Sequence, residues 1–351
     1  MVYAYRAVRF LPRAGGERAV DDREEDEGVS VIITAHNRAG RLRENLIGFL
    51  MQDYNKEKYE VIVVDDCSED DTTDMLARLQ EEYPWLRHTR VYPNTKFRFT
   101  KKLAMNIGIL SARHDALLFS EADCYPSSTA WARTMRSCFD SETAVVTGFS
   151  NFREGREAFS WRRYFRFARF LEMLRLTGEG MYLMGDGCNM GCRKSRYMRN
   201  KGFAGDTQAY LGHDHGMTRA LARHGKVRAC TCPESFMLVD EERERVVDDV
   251  SRYFADKARW PARARLRASA SGWARTAVYL TALALALTGW PRVAMGLAGA
   301  AYALDATATA ILARRFKQGG LLPAMLLARL AGFAYRWYWQ GYSFFNPRKW
   351  R

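Results

Sequence analysis

Leu117–Pro126 reads LLFSEADCYP, an apolar run that ends in two carboxylates, Glu121 and Asp123. In an extended chain alternate side chains share a face, so Glu121 and Asp123 point one way and Ala122 the other. Two carboxylates on one side of a strand end suit Mg²⁺ or Mn²⁺, which take oxygen ligands and complete their shell with water and substrate phosphates. The same residues also read as a solvated acidic loop after a core strand. The rest of the chain decides between the two.

Two further polar clusters follow apolar, β-branched runs. VSVIIT at Val29–Thr34 ends in Ala35-His36-Asn37-Arg38, and EVIVV at Glu60–Val64 ends in Asp65-Asp66-Cys67-Ser68. Between them Leu42, Asn45, Leu46, Phe49 and Leu50 recur at helical spacing. Asp70 or Asp71, with Thr72, caps a second helix carrying Met75, Leu76 and Leu79. A short strand is expected around His88–Tyr92. A helix is expected over Phe99–Ala112, with Leu103, Ile107 and Leu110 on its apolar face and Lys101 and Lys102 at its start. Alternating strands and helices make a doubly wound α/β sheet with helices on both faces, in which ligands sit beyond the carboxyl ends of the strands. Three polar clusters at such ends then share one crevice, which is a binding site.

Several other chemistries lack their residues. No G-x-G-x-x-G follows the first strand and there is no P-loop. Ser195 has no nucleophile-elbow setting, and neither Cys188 nor Cys192 has an evident catalytic partner. Cys188/Cys192 and Cys230/Cys232 match no common zinc spacing, and seven cysteines without a framework fit a reducing compartment. What remains is metal-plus-phosphate chemistry without a covalent protein nucleophile.

The 351-residue chain carries a formal net charge of +14, unevenly spread. Residues 21–27 are acidic, whereas 152–176 and 252–275 are dense in Arg. Such a balance suits nucleic acid, an anionic membrane surface or phosphate-bearing substrates. Residues 1–28 read as a tail, and their apolar run, interrupted by Arg6 and Arg9, is too short for a secretory signal. Toward the C-terminus, Ala277–Trp290 is apolar and Val293–Ala313 holds only Asp305 as a charge, over about a membrane thickness. These stretches, joined at Gly289-Trp290-Pro291-Arg292, predict a transmembrane hairpin over 275–314 with Arg-rich flanks on the cytoplasmic side. The segment 319–340, interrupted by Arg329 and Arg336 and ending near Trp337, Tyr338 and Trp339, reads as interfacial or re-entrant. Beside a hairpin, the Arg-aromatic stretch 152–176 reads as an amphipathic helix against anionic lipid rather than a nucleic-acid surface.

The ordered motifs VSVIITAHNRAGRLRENLIGFLMQDY, YEVIVVDDCSEDDT, LLFSEADC, GCNMGCRKS, GF and GHDHGM resemble the inverting family 2 glycosyltransferases of the GT-A fold, and among them membrane-associated bacterial members. The resemblance covers roughly residues 29–260 and implies a GT-A domain there, followed by membrane-associated helices over 261–351. It implies that Asp65 or Asp66 holds the nucleotide base, usually uracil, in a pocket lined by Ala35 to Asn37. Glu121-Ala122-Asp123 would be this chain's D-x-D, with Asp123 the main metal contact and Glu121 beside it. Asn189 and Arg193, with Lys194, would face the acceptor, and Asp214 would be the catalytic base. The chain departs from the family where Glu121 opens the D-x-D and where His213 precedes the base. It departs again at Asp256, within Asp256-Lys257-Ala258-Arg259-Trp260, where processive members carry Gln.

The implied reaction moves a sugar from a nucleotide diphosphate, a UDP-sugar first, to a hydroxyl of a glycan or lipid-linked acceptor at the cytoplasmic membrane face. Charge on the leaving diphosphate calls for Mg²⁺ or Mn²⁺ at Asp123, helped by Arg259, Lys101 and Lys102. The incoming hydroxyl calls for a carboxylate base, Asp214. His213 is open between tuning that base or an acceptor's phosphate and an ordinary helix-start role, the role expected of His215. A polyprenyl-phosphate sugar transferase and a non-catalytic membrane scaffold are the competing readings. No nucleic-acid partner is expected.

Overall fold

The computed structural model describes residues 27–92, 100–153, 161–202, 213–240, 250 and 253–323, with short pieces at 325–327, 338 and 341. The tail before residue 27, the side chain of His213 and most of the 319–340 segment lie outside the described residues. Two compact units emerge. One lies within Ala14–Arg153 and Tyr182–Glu241, the other within Glu154–Met181 and Glu242–Lys349.

The first unit is built on a seven-stranded sheet ordered β3-β2-β1-β4-β8-β6-β9. β1 (Val29–Ala35), β2 (Tyr59–Asp66), β3 (Leu86–Val91) and β4 (Ala116–Glu121) run parallel. Every residue of β2 is buried and β1 nearly so. Burial on both faces is why these strands read as continuous Val/Ile runs rather than alternating ones. The crossover helices are α1 (Ala39–Leu50), α2 (Thr72–Glu82) and α3 (Thr100–Ser111). From β1 the chain steps outward through β2 to β3, then returns across the sheet to place β4 on the other side of β1. Right-handed crossovers taken in opposite directions put their helices on opposite faces, so α1 and α2 flank one face and α3 the other. The strand order reverses between β1 and β4, and an open sheet binds ligands at that switch point, beyond the carboxyl ends.

Past β4 the sheet changes direction. β8 (Met190–Arg193) is antiparallel to both β4 and β6 (Thr143–Thr147), and β6 pairs in parallel with β9 (Lys226–Ala229). A second, three-stranded sheet joins β5 (Cys124–Pro126), β10 (Met237–Val239) and β7 (Ser150–Phe152). Two short helices, α4 (Trp131–Arg136) and α6 (Lys194–Arg199), precede α7 (His213–Leu221).

The second unit contains α5 (Trp161–Gly178), the paired helices α8 (Ala262–Leu287) and α9 (Pro291–Arg315), and the turn Gly319–Leu321. Its contents differ from a single cut at 260, because α5 and the helical residues 253–258 pack here. Phe167 and Phe170 meet Phe316 edge-on, at centroid separations of 5.8 and 5.2 Å. Arg163 donates to Gln318 Oε1 at 3.2 Å, and Arg175 to the Arg267 carbonyl at 3.0 Å. Of the stretch expected to lie on lipid, α5 packs within this unit on one face, with Arg163, Arg166 and Arg175 buried. For Arg163 and Arg175 the Gln318 and Arg267 acceptors offset part of the cost of removing a guanidinium from water. Gly289, at φ +92°, turns the chain between α8 and α9, and Arg275 pairs with Asp305 at 3.5 Å across the two helices.

Candidate active site

Register brings the first two clusters together. Ala35 pairs with Asp65 and Thr34 with Glu121, so the tips of β2, β1 and β4 end at nearly one level, about 5 Å apart. The loops after β1 and β2 are then stitched. His36 Nδ1 donates to the Asp66 carbonyl at 2.5 Å, and the Asn37 amide donates to Ser68 Oγ at 2.9 Å. Asn37 Oδ1 in return accepts the Glu69 amide at 2.7 Å. Asn37 sits at φ +50°, a region Asn tolerates better than most residues, so its side chain reaches the neighbouring loop. Asp70 accepts the amides of Ala39 and Thr72, both at 3.1 Å, and the Thr72 hydroxyl. Burial works against its charge, but the hydroxyl and amides outweigh that and hold the Asp70 carboxyl below its ordinary value.

The two adjacent aspartates have different surroundings. Asp65 is fully buried, with Oδ1 accepting the Ser68 amide at 2.9 Å and Oδ2 the Thr73 hydroxyl at 2.6 Å. It shapes the loop. Asp66 is buried one residue further toward the crevice.

At the tip of β4, Glu121 Oε1 takes Lys101 Nζ at 2.8 Å, an ion pair from α3 to the strand end. Both residues are expected site members, and the structure couples them. Asp123 and Ala122 are buried. Lys102, beside Lys101 on α3, is half-buried.

Asp214 opens α7, where the partial positive charge of a helix start favours a carboxylate. Its Oδ2 accepts the Gly187 amide at 3.2 Å. A Cβ at Gly185 would lie 2.4 Å from Thr218 Oγ1 and 2.9 Å from the Asp214 carbonyl, so only glycine lets this loop lie against α7. Cys188, which follows Gly187, offers its carbonyl to Ser120 Oγ at 2.9 Å. Ser120 immediately precedes Glu121. A loop of two residues thus ties the Asp214 carboxylate to the strand end bearing Glu121 and Asp123. Asp186 fixes the same loop, accepting the Cys188 amide at 3.1 Å and the Ser150 hydroxyl. His215 is buried, in keeping with an ordinary packing role.

Two acceptor-side residues go elsewhere. Asn189 is 0% exposed and spends its amide on Trp131 Nε1 (3.0 Å) and the carbonyls of Phe149 (2.8 Å) and Ser235 (2.7 Å). That makes it a joint between elements rather than a surface facing an acceptor. Arg193 pairs in register with Ala116, the first residue of β4, about 17 Å along the strand from Glu121. There it binds Asp115 at 3.1 Å and the Asp140 carbonyl, while Lys194 Nζ binds the carbonyls of Leu110 and Ala112 at the end of α3. The antiparallel direction of β8, invisible in a local motif, carries both residues to the amino edge of the sheet. In the second unit Arg259 is exposed, following Asp256, which is buried and accepts the Trp260 indole at 3.0 Å. Asp256 thus has a packing duty where processive relatives carry Gln.

Sequence reading passed over Asn45, Arg153 and Asp240, which surround the Glu121–Asp123 turn. Asn45 was the polar member of an apolar helical stripe, and a buried polar residue is the informative kind. Asp240 opens the charged run DEERER and gave no local signal.

For a divalent ion, the donor set at this turn is two carboxylates on one strand end. Among the described residues no group of three or more His, Cys, Asp and Glu is placed to hold a metal. Two carboxylates alone are the donor chemistry of Mg²⁺ or Mn²⁺, which commonly take one or two protein carboxylates with substrate phosphates. They do not fit a closed structural zinc site.

The family profile described as "Glycosyl transferase family 2" matches residues 30–199. The chain is 32% identical over 157 residues to "Uncharacterized glycosyltransferase YfnE" of Bacillus subtilis (strain 168), covering 43% of this chain and 36% of that protein. It is 32% identical over 98 residues to a Methanococcus voltae protein, with 28% of this chain and 30% of that one covered. That relative is named dolichyl N-acetyl-alpha-D-glucosaminyl phosphate 3-beta-D-2,3-diacetamido-2,3-dideoxy-beta-D-glucuronosyltransferase. The chain thus spans about a third of the length of these relatives. The fold is shared with a solved mannosyltransferase, PcManGT from Pyrobaculum calidifontis, in complex with GDP-Man and Mn²⁺. Its TM-score is 0.56 at 21% identity, with 94% of each chain covered. Residues 30–199 thus carry a family 2 glycosyltransferase domain, and with its parallel β3-β2-β1-β4 core the chain has the GT-A fold.

Proposed function

We propose that this chain transfers a sugar, with inversion, from a nucleotide-diphosphate donor to a hydroxyl of a glycan or lipid-linked acceptor. The carrying observation is the bridge from Asp214 through Gly187 and Cys188 to Ser120, which holds a helix-start carboxylate near the strand end of Glu121 and Asp123. Asp66 with Ala35 and Asn37 is assigned to the nucleotide base, since both carboxylate oxygens of Asp65 serve the loop. UDP is the first candidate; GDP-Man is the donor named for the Pyrobaculum protein. Asp123 and Glu121 are the residues that would hold Mg²⁺ or Mn²⁺, whose charge offsets that of the leaving diphosphate. Lys101 and Lys102 are assigned as further cations for the diphosphate. Asp214 takes the proton of the acceptor hydroxyl as the new bond forms on the face opposite the leaving group.

A lipid-linked acceptor at the cytoplasmic membrane face is favoured by two observations. The Methanococcus relative is named for a dolichyl-phosphate-linked sugar. Pro291–Arg315 is also a helix long and apolar enough to cross a membrane.

The test uses the purified full chain with a panel of UDP- and GDP-sugars, with and without Mn²⁺ or Mg²⁺. The expected result is a metal-dependent rise in melting temperature with one donor, nucleotide release on adding acceptor, and loss of both in Asp123→Asn. No shift with any donor would overturn the transferase reading in favour of a transferase-like scaffold.

A further inference from the structure

Three side chains from distant parts of the first unit close a ring beneath the Glu121–Asp123 turn. Asn45, on α1 and 2% exposed, donates from Nδ2 to Asp240 Oδ2 at 2.8 Å. Its Oδ1 accepts Arg153 Nη2 at 2.8 Å, and Arg153 Nε meets Asp240 Oδ1 at 3.1 Å. Each member thus binds the other two. Arg153 also lies over the Tyr125 ring, 5.2 Å from its centroid, and its amide donates to the Val239 carbonyl at 3.1 Å.

The ring is tied to the site at two points. Asn45 Nδ2 also donates to the Ala122 carbonyl at 3.3 Å, and the Asp240 amide donates to the Asp123 carbonyl at 2.9 Å. Those carbonyls belong to the two peptide planes on either side of the Asp123 Cα. A peptide plane is rigid, so the backbone has only φ and ψ free at that residue. Holding both planes fixes both angles and aims the Asp123 Cα–Cβ bond. Nothing in the family's D-x-D motif calls for this, because the clamp comes from α1, β7 and the end of β10.

We propose that Asn45, Asp240 and Arg153 are positioning residues that set the direction of the Asp123 carboxylate for a divalent ion and its nucleotide. This rests on the transferase reading above, and the experiment separates the two. Asn45→Ala, Asp240→Asn and Arg153→Ala are compared with wild type by thermal shift, titrating Mn²⁺ at fixed UDP. Arg153 is 46% exposed, so its variant keeps the test open if loss of the buried Asn45 prevents folding. A purely structural role lowers the ligand-free melting temperature and leaves the Mn²⁺ midpoint where it was. A positioning role moves the midpoint upward by about twofold to tenfold, the effect of one hydrogen bond to a peptide carbonyl. Folded variants whose Mn²⁺ midpoints match wild type overturn the inference alone. A wild type that binds neither Mn²⁺ nor UDP overturns the reading of the site itself.

Discussion

The Asp214 carboxylate accepts the Gly187 amide at 3.2 Å, and this bond is the link between α7 and the loop that reaches the end of β4. The bond orients the Asp214 carboxylate relative to that loop.

Asp214→Asn keeps the shape and removes the carboxylate proposed as base. The expected outcome is a fall in kcat of about a hundredfold to ten-thousandfold with donor affinity within a factor of about two. Steady-state kinetics alongside a donor-binding titration checks it. Turnover equal to wild type would remove Asp214 from the role.

Asn189→Ala tests the opposite kind of assignment. The substitution takes a partner from the Trp131 indole and the Ser235 carbonyl, each costing about 1–3 kcal/mol, while the Phe149 carbonyl keeps the Met237 amide. The melting temperature should drop by on the order of 10 °C, while the acceptor KM of the surviving folded fraction stays put. A raised acceptor KM with unchanged melting temperature would return Asn189 to the acceptor side.

The parallel half of the fold was legible because its strands are buried on both faces and their polar ends fall at one edge. Asp66, Glu121 and Asp123 could be placed at strand ends that way, since their neighbours along the chain announce them. Arg193 and Asn189 could not, because their place depends on β8 running against β4, a matter of register that no local spacing records. Asp240 depends on β10 pairing with β5, a contact between residues 115 positions apart at Val239 and Cys124. The Arg-aromatic helix misled for a related reason: Phe167 and Phe170 find Phe316, far along the chain.

Glu60 supplies a pH dependence. It lies at the amino edge of the sheet, where Oε1 accepts Ser30 Oγ and the Arg113 amide, both at 2.6 Å, and Oε2 accepts Arg87 at 2.8 Å. Burial alone would raise its pKa, but Ser30, the Arg113 amide and Arg87 together hold it below the ordinary carboxylate value. A depressed folded pKa gives stability that is complete above the unfolded value, about 4.3, and is lost as pH falls through the folded one. Denaturant unfolding from pH 7 to pH 3 should show wild type losing stability below about pH 4, and Glu60→Gln losing less over that window. At pH 7 the variant should be less stable by about 1–3 kcal/mol, since it gives up charge-assisted bonds to Ser30 and Arg87. Equal acid limbs in the two proteins would remove Glu60 from the account.

The α8–α9 pair carries a different prediction. Leu283 is 56% exposed, and Leu287, Trp290 and Met295 are exposed beyond or beside it. Counting back from the turn, Arg275 and Asp305 each lie about 18–20 Å along their helices, where they pair at 3.5 Å. Between that pair and the turn both helices are free of charge until Arg292 at the far end. If this end enters lipid, Leu283→Lys puts a charge into hydrocarbon at a cost of about 3 kcal/mol, roughly a hundredfold in partitioning. In water the same substitution is nearly neutral, because an exposed helix position accepts Lys within about 0.5 kcal/mol. Flotation with vesicles containing anionic lipid should therefore carry wild type to the lipid fraction and leave Leu283→Lys behind, with the two melting temperatures alike. Equal flotation of both would mean that the hairpin's apolar face is covered by something other than a bilayer.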